Sequence, residues 1–418
     1  MKIPSFLLFL GLATAGTVTA QQSQPRCPST YVRKEIRSLT NSEWSMISSV
    51  LKGMNNDGWF AWFAWIHIAN FNTIHGNAIF LPFHRRMVLE FENAGRNYYN
   101  PNFFVPYWDE LSDYNNPSAS AVLSSKYLGG DKGSSGCVDS GLQAGWTMTY
   151  PRAHCLTRSF NAGPGKLSSW YMPEYILSIM DSSNTLSNLS NKIELSLHGI
   201  VHATIGGDMS DYTSPNDFIF MLHHANIDRL WDQWQANYGH TWTVDGTGPD
   251  GKPLTLDSSI VYYNEPVRSV MQLGYGKLCY TYNSANRATN TLSKRDTTAN
   301  KKCQAKPAES VTSNIASQKA IINNILRYPE LVSSRFFPNI AKNKIYADIV
   351  SEAASPAAEA VAVNKCAAKS SAVPYPTPLS DMWVNMHGFS KCSVNKVKKD
   401  ANEFVDFLRQ INYVPTYC

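Results

Sequence analysis

The chain has 418 residues, enough for one large domain or two medium ones with a sizeable core. Hydrophobic residues make up 43% and charged residues only 17%, which excludes an extensively disordered chain. The net charge of +5 is a small excess with no long basic run, so no nucleic-acid or membrane-surface partner is expected.

Residues 1–20, MKIPSFLLFLGLATAGTVTA, carry one early Lys, an apolar run from Phe6 to Leu12 and small residues ending in Val18-Thr19-Ala20. That is the pattern of a secretory signal peptide, too short and wrongly flanked for a membrane anchor. A secreted, extracellular protein is expected. The 8 cysteines (27, 137, 155, 279, 303, 366, 392 and 418) are an even set suited to disulfides in an oxidising compartment, with no CxxC and no Cys/His zinc spacing. Asn188-Leu189-Ser190 is the single sequon and marks Asn188 as the glycosylation candidate.

A helix is expected from Ser42, capped by Ser42 or Asn41, with Trp44, Ile47, Val50 and Leu51 on its apolar face. After Gly58, the run Trp59 to Ala69 is apolar almost all round, as in a buried helix, and carries His67. A loop from Asn70 to Asn77 holds His75. Leu81 to Phe91 opens a third helix with Pro82 in its first turn and His84 beyond it. The pair Arg85-Arg86 reads as a salt-bridging helix face. Val105 to Asp109 is short and extended. Residues 110–165, rich in Ser, Gly and Asn, read as a long surface excursion pinned by Cys137 and Cys155.

Two further helices are expected over Tyr171–Met180 and Leu189–Ala203. The stretch from Lys192 to Trp231 then holds the densest chemistry. His198 and His202 are four apart, so on a helix both rings leave one face and reach one metal ion. A Gly, Asp, Ser and Pro-rich break follows, and Phe218–Trp231 restarts a helix bearing His223, His224 and Asp228. A carboxylate four residues after His224 is placed to hold that ring's other nitrogen. Six histidines thus form two groups, 67, 75, 84 and 198, 202, 224, in or beside apolar helices. His154, His240 and His387 have no partner at metal spacing and read as ordinary residues.

All-imidazole sites without HExxH or Glu-x-x-His motifs disfavour zinc hydrolases and di-iron proteins. They suit two copper ions about 3.5–4 Å apart, with dioxygen as co-substrate. Beyond them, Val267 to Tyr282 ends in a strand-like LGYGKLCYTY. Residues 284–310 form a polar linker containing Lys294-Arg295, the kind of dibasic pair processing proteases cut. The tail from 311 to 418 has a helical half to about Ala368 and a Pro-rich crossing, PYPTPLSDMW.

The motifs FLPFHRRMVLEFE, VPYWDE, HGIVHATIGGDM and SPNDFIFMLHHANIDRLW resemble the two copper-site signatures of the type-3 copper proteins, specifically tyrosinases and catechol oxidases. The likeness spans roughly residues 40–283 and places a dicopper catalytic domain at 21–283. It implies a mainly α fold, a four-helix bundle core with long loops, few short strands and a C-terminal extension. It implies His67, His75 and His84 on one copper and His198, His202 and His224 on the other, with His223 packed nearby. Met209 and Tyr212 fall where the family's substrate wall forms, and Phe220, one turn before His224, Gly199, which leaves room over the second copper, and Ala203 are further substrate-contact candidates.

Departures from the pattern shape the expected activity. Thr73 stands where many members have a thioether-forming Cys. Gly199 stands where many tyrosinases have an Asn that, with a Glu, orients a water deprotonating a monophenol. Glu194, four before His198, remains as the candidate catalytic acid or base. Asp217-Phe218 replaces the usual Asp-Pro, a change expected to alter how that helix starts. The expected activity is oxidation of o-diphenols to o-quinones with reduction of O2 to water, and weak or no hydroxylation of monophenols. Open alternatives are a full tyrosinase (a monooxygenase), an o-aminophenol oxidase and an oxygen carrier of the hemocyanin kind. The tail resembles C-terminal extensions that in latent fungal members place a side chain over the copper site. Its even cysteine count favours a permanent disulfide-stapled cover.

Overall fold

The first helix, α1 (Asn41–Asn56), starts one residue earlier than expected because Thr40 supplies its cap. The Glu43 backbone N–H donates to the Thr40 hydroxyl at 3.2 Å, and the Glu43 carboxylate accepts from the Thr40 N–H at 2.9 Å. That reciprocal pairing satisfies two donors the helix leaves open. This computed structural model describes residues 24–283, 321–322, 324–328, 335–342 and 373–415. The signal-like segment, Lys294-Arg295, and Cys303, Cys366 and Cys418 lie outside the described residues.

Helix α2 (Trp59–Ile74) runs five residues past the expected Ala69, so His75 sits at its C-terminal cap and not within a loop. Phe60, Phe63, Ala64 and Ile66 are buried. Each large apolar side chain among them contributes about 1.5–3 kcal/mol by leaving water. Helix α3 (Phe80–Tyr98) and helix α7 (Phe218–Asn237) pack along each other, and α2 lies beside α3 and meets α7 where His67 packs on Phe220. Between them in sequence come α4 (Pro173–Ser182), α5 (Leu186–Ile193), a π turn (Glu194–His198) and α6 (Gly199–Ile205). The expected uninterrupted helix over 189–203 therefore carries a π bulge that ends on His198, a distortion frequent at functional sites. The architecture is mainly α, with a helical bundle core and few short strands.

The strands are pairs. β1 (Tyr31–Arg33) runs parallel to β6 (Tyr280–Tyr282), with Tyr31 opposite Tyr280 and Arg33 opposite Tyr282. β2 (Thr147–Met148) pairs with β3 (His154–Cys155), and β4 (Ser259–Ile260) with β5 (Glu265–Pro266), both antiparallel. The disulfide Cys27–Cys279 joins the two ends of the core, and Cys137–Cys155 pins the excursion as expected. Among the described residues Cys392 is exposed and unbridged, and the other cysteines of the tail, Cys303, Cys366 and Cys418, lie outside them. Among the described residues, no helix is long and apolar enough to cross a membrane.

The start of α7 shows what Phe218 does in place of proline. Asp217 caps the helix by accepting from the Ile219 N–H at 2.9 Å and also pairs with buried Arg158 at 2.6 Å. The Phe218 N–H, which proline lacks, donates to the Gln143 side chain at 3.1 Å.

Candidate metal centre

Two groups of buried imidazoles face each other across the bundle. Nitrogens of His67, His75 and His84 lie within 4.8 Å of one another, and those of His198, His202 and His223 do the same. In the first trio every Nδ1 donates to a backbone carbonyl: His67 to Tyr212 (2.9 Å), His75 to Phe71 (3.0 Å) and His84 to Phe80 (2.8 Å). Each ring is thereby fixed with its Nε2 turned to its neighbours, the tautomer a metal ligand needs. In the second trio His202 Nδ1 donates to the Met209 carbonyl at 2.6 Å, and His223 Nδ1 donates to the Glu110 carboxylate at 2.7 Å. Glu110 also accepts from Asn226.

His224 was the expected third member of the second group, and its position differs from its neighbour's. Its ring stacks on His84 at 4.2 Å between centroids and stands 5.1 Å from His198 and 5.7 Å from His202. Neither of its nitrogens has a protein hydrogen-bond partner. His224 thus touches both groups, whereas among ring contacts His223 meets only the second-site histidines.

Asp228 does not hold His224. It lies on the other side of α7, where it accepts from Arg85, from Arg33 at 3.3 Å, and from the Tyr280 and Tyr282 hydroxyls at 2.7 and 2.6 Å. The helical offset was right, but two buried guanidiniums outcompete an imidazole for a carboxylate in a dry site. Arg33 also pairs with Glu92 at 3.0 Å and lies 3.5 Å over the Tyr280 ring. Arg85 is accordingly interior, and only Arg86 forms the expected salt-bridging face, with Glu90 and Glu265.

The donor set fits copper ions. Nε2 of His67, His84, His198, His202, His223 and His224 is buried and unpartnered by protein. Leaving that many acceptors dry costs about 1–3 kcal/mol apiece unless something binds them. Burial pushes His67 down to about 4, and His75, His84, His198, His202 and His224 well below the usual imidazole range. Rings held neutral are competent ligands.

The other candidates are distributed around this centre. Glu194 is buried and accepts from the Gly76 N–H at 2.9 Å, one residue from His75. Burial raises its carboxyl well above the usual range. Phe220 packs 4.2 Å from His224 and 5.2 Å from His67. Met209 is buried and Tyr212 partly exposed against Phe71; both reach the centre through their carbonyls. Ala203 is half-buried, and Asn188 is exposed on α5.

One participant was missed. His387, at the end of α8 (Asp381–Met386), stands 5.0 Å from His75 and 4.7 Å from Phe71. Its neighbour Trp383 is 1% exposed and 6.1 Å from His198. Trp383, His387 and Phe389 form one aromatic stack. A Cβ on Gly199 would meet the Trp383 ring at 2.8 Å, so the absent side chain is what admits the indole. Helix α9 (Lys391–Gln410) anchors this cover: the Tyr175 hydroxyl donates to the Val397 carbonyl, and Phe404 packs on Tyr175. Nothing in the spacing of His387 signalled this. Only the apolar MWVNMHGF run around it hinted at a buried face.

The common central domain of tyrosinase matches residues 57–237, which span both histidine groups. Over 308 residues the chain is 33% identical to Tyrosinase ustQ of Aspergillus flavus, covering 65% of this chain and 84% of that protein. It is 29% identical over 317 residues to Tyrosinase-like protein phomQ2 of Diaporthe leptostromiformis, covering 66% of this chain and 80% of that one. A Tyrosinase of Streptomyces antibioticus is 31% identical over 241 residues, covering 52% and 87%. With the likeness centred on the segment that brings the imidazoles together, the chain belongs to the tyrosinase family.

Proposed function

We propose that this protein is a secreted dicopper polyphenol oxidase that converts o-diphenols to o-quinones while O2 is reduced to water. The observation that carries the reading is the pair of buried imidazole groups with Nε2 atoms left without protein partners. His67, His75 and His84 would hold one copper, and His198, His202 and His224 the other. His224 is preferred over His223 because it lies between the two groups and has no other use for either nitrogen. Two coppers bound there would pass electrons from the phenol to dioxygen. For two catechols, four electrons and four protons leave the hydroxyls and one O2 becomes two waters.

The protein's own part is to hold the rings, exclude water and seat the substrate. Phe220 and the Met209 segment form an apolar wall. Gly199 leaves room over the second site for an aromatic ring. Glu194 is the nearest carboxyl able to take a phenol proton, but it lacks the amide partner that an Asn at position 199 would supply. Monophenol hydroxylation is therefore weak.

The tail is a cover. Trp383 and His387 stand where a phenolic ring would approach, so the full chain is latent. The packing of α9 on Tyr175 supports a cover held against the core. The shielding also supports a second reading, a reversible oxygen carrier.

The test is to load the full chain with copper, count the metal, and assay a catechol, a monophenol and an aminophenol with and without Trp383→Ala. Two coppers and rapid catechol turnover in the variant support the proposal. Oxygen binding without catechol oxidation in both proteins establishes the carrier. Fast monophenol turnover without a lag would make the protein a full tyrosinase.

A further inference from the structure

The segment between α6 and α7 does something for both imidazole groups at once. The Met209 carbonyl fixes His202 of the second site, and the Tyr212 carbonyl fixes His67 of the first. Only two residues of one loop, Ser210 and Asp211, therefore separate the acceptors that orient a ring in each site. Loops are usually the mobile part of a fold, and metal ligands tolerate little misorientation. Something must hold this one still.

Asp208 does so. It is 3% exposed, and its two carboxylate oxygens collect five donors. Oδ1 faces His154 Nε2 at 2.8 Å, the Thr213 hydroxyl at 3.1 Å and the Asn216 amide at 3.4 Å. Oδ2 accepts from the Thr157 N–H at 2.9 Å and the Thr157 hydroxyl at 3.1 Å. Its own N–H donates to the Thr157 carbonyl at 3.1 Å. Asp208 precedes Met209, and Thr213 follows Tyr212. The carboxylate therefore grips the loop at both ends of the two functional carbonyls and ties it to the 154–159 segment.

That segment is itself immobilised, since Cys155 is bonded to Cys137. The approach is close enough to demand glycine. Gly206 and Gly207 have φ of +67° and +58°, and a Cβ on them would meet the carbonyl oxygens of Ser159 and Thr157 at 2.2 and 2.3 Å.

We propose that Asp208 is the positioning residue of the dinuclear centre, fixing one imidazole in each half through the carbonyls of Met209 and Tyr212. This rests on the two groups being copper sites. The consequence is specific: a fault at Asp208 weakens both metals together, although the carboxylate touches neither trio of ligands.

The experiment measures the affinity of each copper in the full chain by competition with a colorimetric Cu(I) chelator, alongside thermal unfolding of the metal-free protein. Asp208→Asn keeps the shape but turns one acceptor into a donor facing other donors. We expect both sites to weaken in parallel by about tenfold to a hundredfold. Thr213→Val removes one donor and leaves the carboxylate, and should weaken both sites by a few-fold while folding normally. His154→Gln, which keeps a side-chain donor toward Oδ1, should weaken both sites by no more than Thr213→Val does. If the unaltered chain fails to bind two coppers, the reading of the centre itself is wrong. If it binds two, and Asp208→Asn or Thr213→Val keeps both affinities or loses only one of them, the positioning role is wrong. A drop in melting temperature without a change in copper affinity would leave Asp208 a purely structural anchor and overturn the proposal.

Discussion

The two imidazole groups are built differently. The first comes from 18 consecutive residues, His67 to His84, at the end of one helix and the start of the next. Two of its three rings are fixed by carbonyls four residues back in the same chain segment, Phe71 for His75 and Phe80 for His84. The second group draws on a π turn and two helices, and His223 packed beside it is held by a carboxylate 113 residues away, Glu110. Local hydrogen bonds hold two of the three rings of the first site, whereas the second needs α6 and α7 to pack together and leans on His223, itself held by a distant carboxylate. The second should therefore be the more sensitive to changes made far from it.

The sharpest way to break that comparison is to remove one ring from each half. His84→Ala and His224→Ala should each cut copper from two to about one per chain and abolish catechol oxidation, as metal analysis and an oxygen electrode would show. If His223→Ala loses the second copper and His224→Ala keeps it, the adjacent histidines have exchanged roles.

Acid should loosen the metal-free protein through both groups. An unfolded imidazole titrates near 6.5, whereas burial holds His67 at about 4. Below 6.5 the unfolded chain takes up protons that the folded chain refuses. Stability present above pH 6.5 is therefore lost as pH falls toward 4, by about 3 kcal/mol for His67 alone. Glu194, raised by burial, works in the opposite sense but is one group against several. Urea unfolding at pH 7 and pH 5 measures the balance; equal midpoints would mean the rings are not buried as described.

Opening the cover tests the approach to the second site. Trp383→Ala should raise catechol turnover by about tenfold or more, since substrate then meets a larger fraction of open molecules. An unchanged rate would show that Trp383 does not obstruct the centre.

The smallest expected effect isolates the long-range support. Glu110→Gln, which reaches the second site only through His223 packed on His198 and His202, should weaken the second copper by about a few-fold and leave the first unchanged. Equal weakening of both would contradict the contrast between the halves.

Much of the centre was legible because helix periodicity is a local property. His67, His84, His198, His202 and the adjacent pair all sit on the helices that apolar spacing indicated, and Pro82 and Gly58 marked where those helices begin. Legibility stopped where a partner came from elsewhere in the chain. Asp228 has the right offset to serve His224, yet Arg33 and Arg85 take it. His154 had no partner in its own neighbourhood and finds Asp208 54 residues on. Glu194 was marked by its offset from His198, but its partner, the Gly76 N–H, lies 118 residues away in the chain.

By itself the sequence determined the helices, the two metal-binding halves, the Cys137–Cys155 bridge and the family, because each depends on short-range pattern or long matched motifs. Tertiary structure alone decided that the Tyr212 carbonyl fixes His67, that Glu110 takes His223, that Gly199 receives Trp383, and that His387 lies over the first site. Those are contacts between segments far apart in the chain, chosen by competition among buried polar groups for the few partners that a dry interior supplies.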